Sequence, residues 1–441
     1  MHGGSEHGRQ SLGHVRLASE KLACYDKKLG AEQAVISPCP HKQVSNGSNS
    51  QVVEIAQKVF ELLTQGSFTN TYKYATLLGI LDALEERSTA DGPPSMITSR
   101  ELAEHVLRIY WPQCSEFRPN SSSGSAHLAQ QSGATPTIIS AIRKWREQWP
   151  SQTIAEYRQE YRRAESDFRD THQTRPARAL INEVETVLIM YPIPLLQKVT
   201  PRRIGRDASD ERTSQNPFLY EWSNKSEPPG LKAYLDGALS PIDNRLKFFP
   251  GVPECLLTLA SLLRPMIQTE WTRFVSRIKR NEIASDKVFA FLFERERRDL
   301  EAVRSPLREL QENRCFYCGE ILQKEKGHVD HFVPWSRHPN DAIENLTLAH
   351  ASCNVNKSNF LAAPEHLEKW KERLRTNDLS TIADTLRWPT ERHTSVSIIQ
   401  ALYGQLAAGV MLWSTRDRMV PWQPSGSLPL LRAIDKLRDA A

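Results

Sequence analysis

Four soft metal ligands fall in two pairs, Cys315 with Cys318 and His350 with Cys353, each pair separated by two residues. A Cys-x-x-Cys knuckle aims two thiolates at one point, and a His-x-x-Cys pair at the mouth of a helix can close a zinc tetrahedron from the other side. Between the pairs sits Asp330-His331, and Asn354 directly follows Cys353. Their oxygen donors suit a harder divalent cation. The stretch from Cys315 to Lys357 therefore interleaves two metal chemistries, a closed structural zinc site and a sparse catalytic one. Hydrolysis at such a site needs both an activated water and relief of the charge that develops on the substrate. An imidazole, with its ordinary pKa of about 6.5, takes the water's proton near neutrality, and a bound cation relieves the charge.

The stretch resembles the HNH endonuclease family, whose core is a ββα-metal finger. The matching residues are Asp330-His331, Pro334, Ser336, Asn345-Leu346, Cys353-Asn354 and Lys357, with Asn345 14 positions after His331 and Asn354 9 after Asn345. The resemblance covers about a tenth of the chain. It implies that His331 is the general base, that Asp330 and Asn354 hold one Mg2+ or Mn2+ ion, and that Asn345 braces the finger and orients His331. Two positions depart from the usual pattern: Asn354 stands where the family commonly has His, and the zinc set is Cys-Cys-His-Cys rather than four Cys. The arrangement is similar to stand-alone bacterial HNH nucleases of restriction and phage-defence systems. That likeness implies DNA as substrate, foreign DNA as the target, and other proteins of a defence operon as partners. A single site of this kind cuts one strand. Two other classes remain open on the same residues, a zinc-stabilised nucleic-acid-binding protein without catalysis and a nuclease toxin.

These residues need a scaffold, and the chain is long enough for two or three domains. With 39% hydrophobic and 25% charged residues among 441, it has the composition of a soluble globular protein. A net charge of +5 is mild for this length, so a nucleic-acid surface has to come from local clusters. Candidates are Arg277, Lys279 and Arg280 before the finger and Arg337 and Lys357 within it. Seven cysteines are an odd number, and Cys24, Cys39, Cys114 and Cys255 lack framework spacing, which points to a reducing compartment, the cytoplasm. No apolar run approaches the roughly 18 residues of a membrane span.

The pattern predicts a mainly α protein with a small β-containing middle part and a C-terminal ββα-metal domain. Residues 1–50 read as a weakly ordered leader and 51–300 as a mostly helical recognition region. Within that region, helical periodicity runs from Gln51 through Arg87, and Thr98 with Glu101 forms a capping-box start for the next helix. Tyr72, Tyr74, Tyr110 and Trp111 recur at helical spacing among leucines, which places them in a core. Three short apolar pieces, FLYEW, LKAYL and RLKFF, suggest strands of a small sheet within 192–250. The nuclease domain spans 301–376, and 377–441 reads as a helical extension whose apolar run SIIQALYGQLAAGVMLW is one helix.

Overall fold

The computed structural model describes residues 46–65, 69–117, 127–150, 152–166, 174–198, 217–224, 228–237, 242–278, 281, 284–294, 299–322 and 327–439. Residues 1–45 of the expected leader, with Cys24 and Cys39, lie outside them, as do Lys279 and Arg280, whereas residues 46–50 of that leader begin a helix. Residues 45–441 form one compact unit. It is mainly helical with small sheets.

The helical region begins with α1 (Asn46–Gln65), α2 (Tyr72–Arg87) and α3 (Ser99–Tyr110), followed by α4 (Thr137–Gln148), α5 (Ile154–Ser166), α6 (Thr174–Met190) and the short α7 (Pro192–Leu195) and α8 (Leu231–Leu235). It closes with α9 (Val252–Ser276) and α10 (Ser285–Phe293). The start of α3 has both capping-box bonds between Thr98 and Glu101. Helix α2 is buried from Tyr72 to Glu86 apart from Lys73, because α3 and α9 pack against it. Gly79 permits the approach of α3: a Cβ there would lie 2.9 Å from Leu102 Cδ1. Tyr72, Tyr74, Tyr110 and Trp111 are all core residues, and Tyr74 stacks on Trp271.

A three-stranded antiparallel sheet edges this region in the order β1 (Met96–Thr98), β3 (Arg245–Phe248), β2 (Tyr220–Glu221). Two of the three pieces expected as strands are therefore strands, but LKAYL is helix α8. It starts after Gly230 at φ 83° and stops before Gly237 at φ 80°, so both flanking glycines serve a helical turn. The third strand is instead Met96–Thr98, which runs straight into the cap of α3. Pro265 lies within α9 without ending it.

Helix α11 (Glu301–Leu310) leads into the finger, which consists of β4 (His328–His331), β5 (Leu346–Ala349) and α12 (Ala351–Lys357). The strands pair antiparallel, with Asp330 opposite Thr347 and His331 opposite Leu346. After the finger come α13 (Pro364–Arg373), α14 (Asp378–Leu386) and α15 (Arg392–Gly404), a hairpin of β6 (Met411–Thr415) and β7 (Arg418–Pro421), and α16 (Pro424–Asp435). The apolar run expected as a single helix thus breaks at Gly404, and its last residues pair as a strand.

Two hydrophobic clusters fill the unit. One is built from residues between Ile55 and Leu292 together with Ala401 of α15, the other from residues between Val303 and Ile434. Helix α15 also packs on α2, so the segment after the finger grips the helical region. Among the described residues, no helix is long and apolar enough to cross a membrane.

Candidate active site

The end of α11 sets the knuckle. Gln311 bonds Leu348 of β5 through both ends of its amide (2.8 and 2.9 Å), tying the chain beside the hairpin just before Cys315. The turn then closes with Gly319 N–H donating to Cys315 O at 2.9 Å, with Gly319 at φ 76°. His350 is the N-cap of α12 and Cys353 lies in its first turn. The ligand atoms of Cys315, Cys318, His350 and Cys353 all lie within 4.8 Å of one another. His350 Nδ1 is 3.3 Å from Cys318 Sγ, while Nε2 lies 3.3 Å from the Ile321 carbonyl. A carbonyl only accepts, so Nε2 carries the proton and Nδ1 presents its lone pair to the thiols. A hydrogen bond from Cys353 and backbone donors bring the Cys315 thiol down to about 4, while the same bond and burial push Cys353 up. The four side chains thus have the donors and the proximity that a metal requires.

Asp330 and His331 lie at the end of β4, both buried, with relative exposures of 8% and 7%. Asp330 Oδ2 accepts from Tyr317 Oη at 2.5 Å and pairs with Lys357 Nζ at 3.0 Å. Lys357 also donates to the His331 carbonyl at 2.8 Å. Burial lowers the Lys357 pKa against the pull of Asp330, and it raises that of Tyr317. Lys357 is fully buried, so it ties the strand to α12 and cannot meet a phosphate on the surface, contrary to the expectation from its charge. Asn354 sits one turn before Lys357 on α12, and residues three apart share a helix face.

His331 Nε2 donates to Asp341 Oδ1 at 2.9 Å, and its ring lies 5.2 Å from that of Trp335. Asn345 does not bond His331. Its side chain instead accepts from Val333 N–H (2.8 Å) and donates to the Val333 and Asn340 carbonyls (3.2 and 3.0 Å), folding the loop between the strands. Bracing and orienting, expected of one residue, are divided here between Asn345 and Asp341. His328 is exposed at the other end of β4. Arg337 is half-buried, its Nε bonded to the Asn359 carbonyl, and Arg277 is exposed at the end of α9.

Residues 315–363 match the HNH endonuclease family, and residues 53–292, more than half of the chain, match the domain of unknown function DUF8808. The chain belongs to the DUF8808 family and carries an HNH endonuclease domain. No curated protein and no solved structure matches it.

A second cluster joins the HNH loop to the DUF8808 region. His338 lies between Glu85 and Glu86 of α2, with Nδ1 2.6 Å from Glu85 Oε2 and Nε2 3.5 Å from Glu86 Oε1. Asp82 and Glu85 pair with Arg264 (2.7 and 2.9 Å), and Asp82 also pairs with Arg108 at 3.2 Å, which holds Glu86 too. Three carboxylates (Asp82, Glu85, Glu86) thus face three cations, Arg108, Arg264 and His338. Burial opposes the charge on His338, yet the bonds to Glu85 and Glu86 carry its pKa up to about 9. Although Asp82, Glu85 and His338 are close enough to hold a metal, the two guanidiniums already neutralise the carboxylates.

Proposed function

We propose that this protein is a metal-dependent endonuclease that hydrolyses phosphodiester bonds of DNA, with His331 as the general base. The observation behind this reading is the hydrogen bond from His331 Nε2–H to Asp341. A carboxylate only accepts, so the neutral ring keeps its lone pair on Nδ1, the form that takes a proton from water. As water attacks phosphorus, its proton passes to Nδ1. One P–O bond forms, the bond to the leaving oxygen breaks, and that oxygen takes a proton from solvent. Lys357 holds Asp330 and the His331 backbone in one frame, and Asn345 holds the loop that brings Asp341 to the ring.

Asp330 keeps Oδ1 beyond its bonds to Tyr317 and Lys357, and with Asn354 it offers the hard oxygen donors that Mg2+ or Mn2+ prefers. Such an ion, when bound, supplies charge relief at the phosphate. Cys315, Cys318, His350 and Cys353 are the residues for a structural zinc. A defence role against foreign DNA is part of this proposal and is supported by the family resemblance.

The test is cleavage of supercoiled plasmid. Nicking is expected with Mg2+ or Mn2+, and it should stop in EDTA while zinc and fold are retained. Cleavage that persists after all exchangeable ions are removed would contradict the reading. Specific DNA binding with no cleavage under any divalent ion would favour the binding-only alternative.

A further inference from the structure

We propose that the cleft between the HNH loop and α9–α10 receives a nucleobase turned out of the DNA strand beside the scissile phosphate; this rests on the nuclease reading above. The cleft has a volume of about 890 Å3, within the roughly 300–1,000 Å3 range of small-ligand sites. Its position is the first argument. Trp335 lines it, and the same ring lies 5.2 Å from that of His331, so one wall of the cleft touches the proposed base.

Its chemistry is the second argument. Phe289 and Phe293 of α10 join Trp335 as flat aromatic surfaces, and aromatic faces hold unstacked bases of any sequence. Gln268 and Gln405 add half-buried amides, each with donors and an acceptor, the groups that read a base edge. Arg337 brings a guanidinium to the wall. Deeper in, Arg264 and Glu85 are bonded to each other at 2.9 Å, so the floor is charge-compensated and does not call for an ionic ligand. A flat, neutral, hydrogen-bonding ring attached to a phosphate meets all of these features. A lipid chain would leave the amides unpaired, and an inorganic anion would leave the aromatic walls uncovered.

The experiment pairs a blocked cleft with a missing base. Ser261 is exposed on the α9 wall, so Ser261→Trp fills the cleft without disturbing the core, and Gln268→Leu removes one amide as a second variant. DNA affinity is measured by anisotropy without divalent ions, on intact duplex and on duplex with an abasic nucleotide beside the mapped cut. Stacking of one base is worth about 1–3 kcal/mol, or roughly 5- to 150-fold. Either Ser261→Trp or the abasic position should weaken binding by that factor, and together they should cost no more than one alone. Hydrolysis of bis(p-nitrophenyl) phosphate, which carries no base, should be unchanged in Ser261→Trp.

Full affinity for intact DNA in both variants would overturn the proposal, as would losses that multiply when block and abasic site are combined. If deoxynucleoside monophosphates raise the melting temperature of the wild type but not of Ser261→Trp, while the abasic site has no effect, the cleft binds a free nucleotide instead and the strand-base proposal fails. A wild type that hydrolyses neither the small diester nor DNA sinks the nuclease reading, and the affinity comparison still judges the cleft.

Discussion

Asp341 decides which nitrogen of His331 carries the proton, because a carboxylate has nothing to donate. Asp341→Asn puts an amide there that can donate to Nε2 and move the ring proton to Nδ1. Single-turnover cleavage should fall by about 10²- to 10⁴-fold with DNA affinity kept; a variant that cuts at the wild-type rate would remove Asp341 from the mechanism. The sequence held no sign of this residue. Asp330, His331, Asn345 and Asn354 stand at recognisable intervals, whereas an aspartate ten positions beyond His331 in a polar loop looks like any solvated turn residue. Folding of the loop by Asn345, with Trp388 Nε1 bonded to the Asp341 carbonyl, brings it to the imidazole. Lys357 was misleading for the opposite reason: its charge suggested a phosphate contact, but burial turned it into an internal brace.

At the scale of elements, the chain after α11, the knuckle and the first turn of α12 bring together four side chains that could hold a metal. Cys318→Ser removes one thiolate from a site that in small zinc domains supplies about 10–16 kcal/mol of binding. The expected outcome is loss of the roughly one zinc per chain and rapid proteolysis between 301 and 376, read by metal analysis and limited digestion. A folded, active variant without zinc would contradict a structural role for the cluster. Helices with strong local signals were legible: the Thr98–Glu101 cap starts α3 where the spacing predicts, and the aromatic residues of α2 and α3 are core. FLYEW and RLKFF were legible as strands, but LKAYL was not, because five residues are too short to separate period two from period 3.6. Likewise the residues after Gly404 are as apolar as the helix before them, and their pairing as β6 depends on a partner strand that local pattern does not reveal.

Across the whole molecule, His338 couples the nuclease loop to the DUF8808 region. It is faced by Glu85, Glu86 and Asp82 of α2, Arg108 of α3 and Arg264 of α9. Its folded pKa of about 9 exceeds the unfolded value of about 6.5, so its stabilisation is complete below pH 6.5 and is lost as pH rises through 9. Urea denaturation should show a loss on the order of 3 kcal/mol over that window, and His338→Gln should remove this pH dependence. An unchanged slope in the variant would assign the dependence to other groups. Long-range burial of this kind leaves no local mark: a histidine seven residues after His331 gives no hint of two glutamates on α2.

The proposed mechanism stands on proton transfer by His331 at the end of β4. The most direct measurement compares wild type, His331→Ala and His328→Ala for Mg2+-dependent plasmid nicking, with DNA binding followed in parallel. His331→Ala should lose about 10²- to 10⁴-fold in rate with binding intact, while exposed His328→Ala should nick like the wild type. A His331→Ala protein that still nicks at the wild-type rate, or a folded His328→Ala protein equally inactive, would contradict that mechanism.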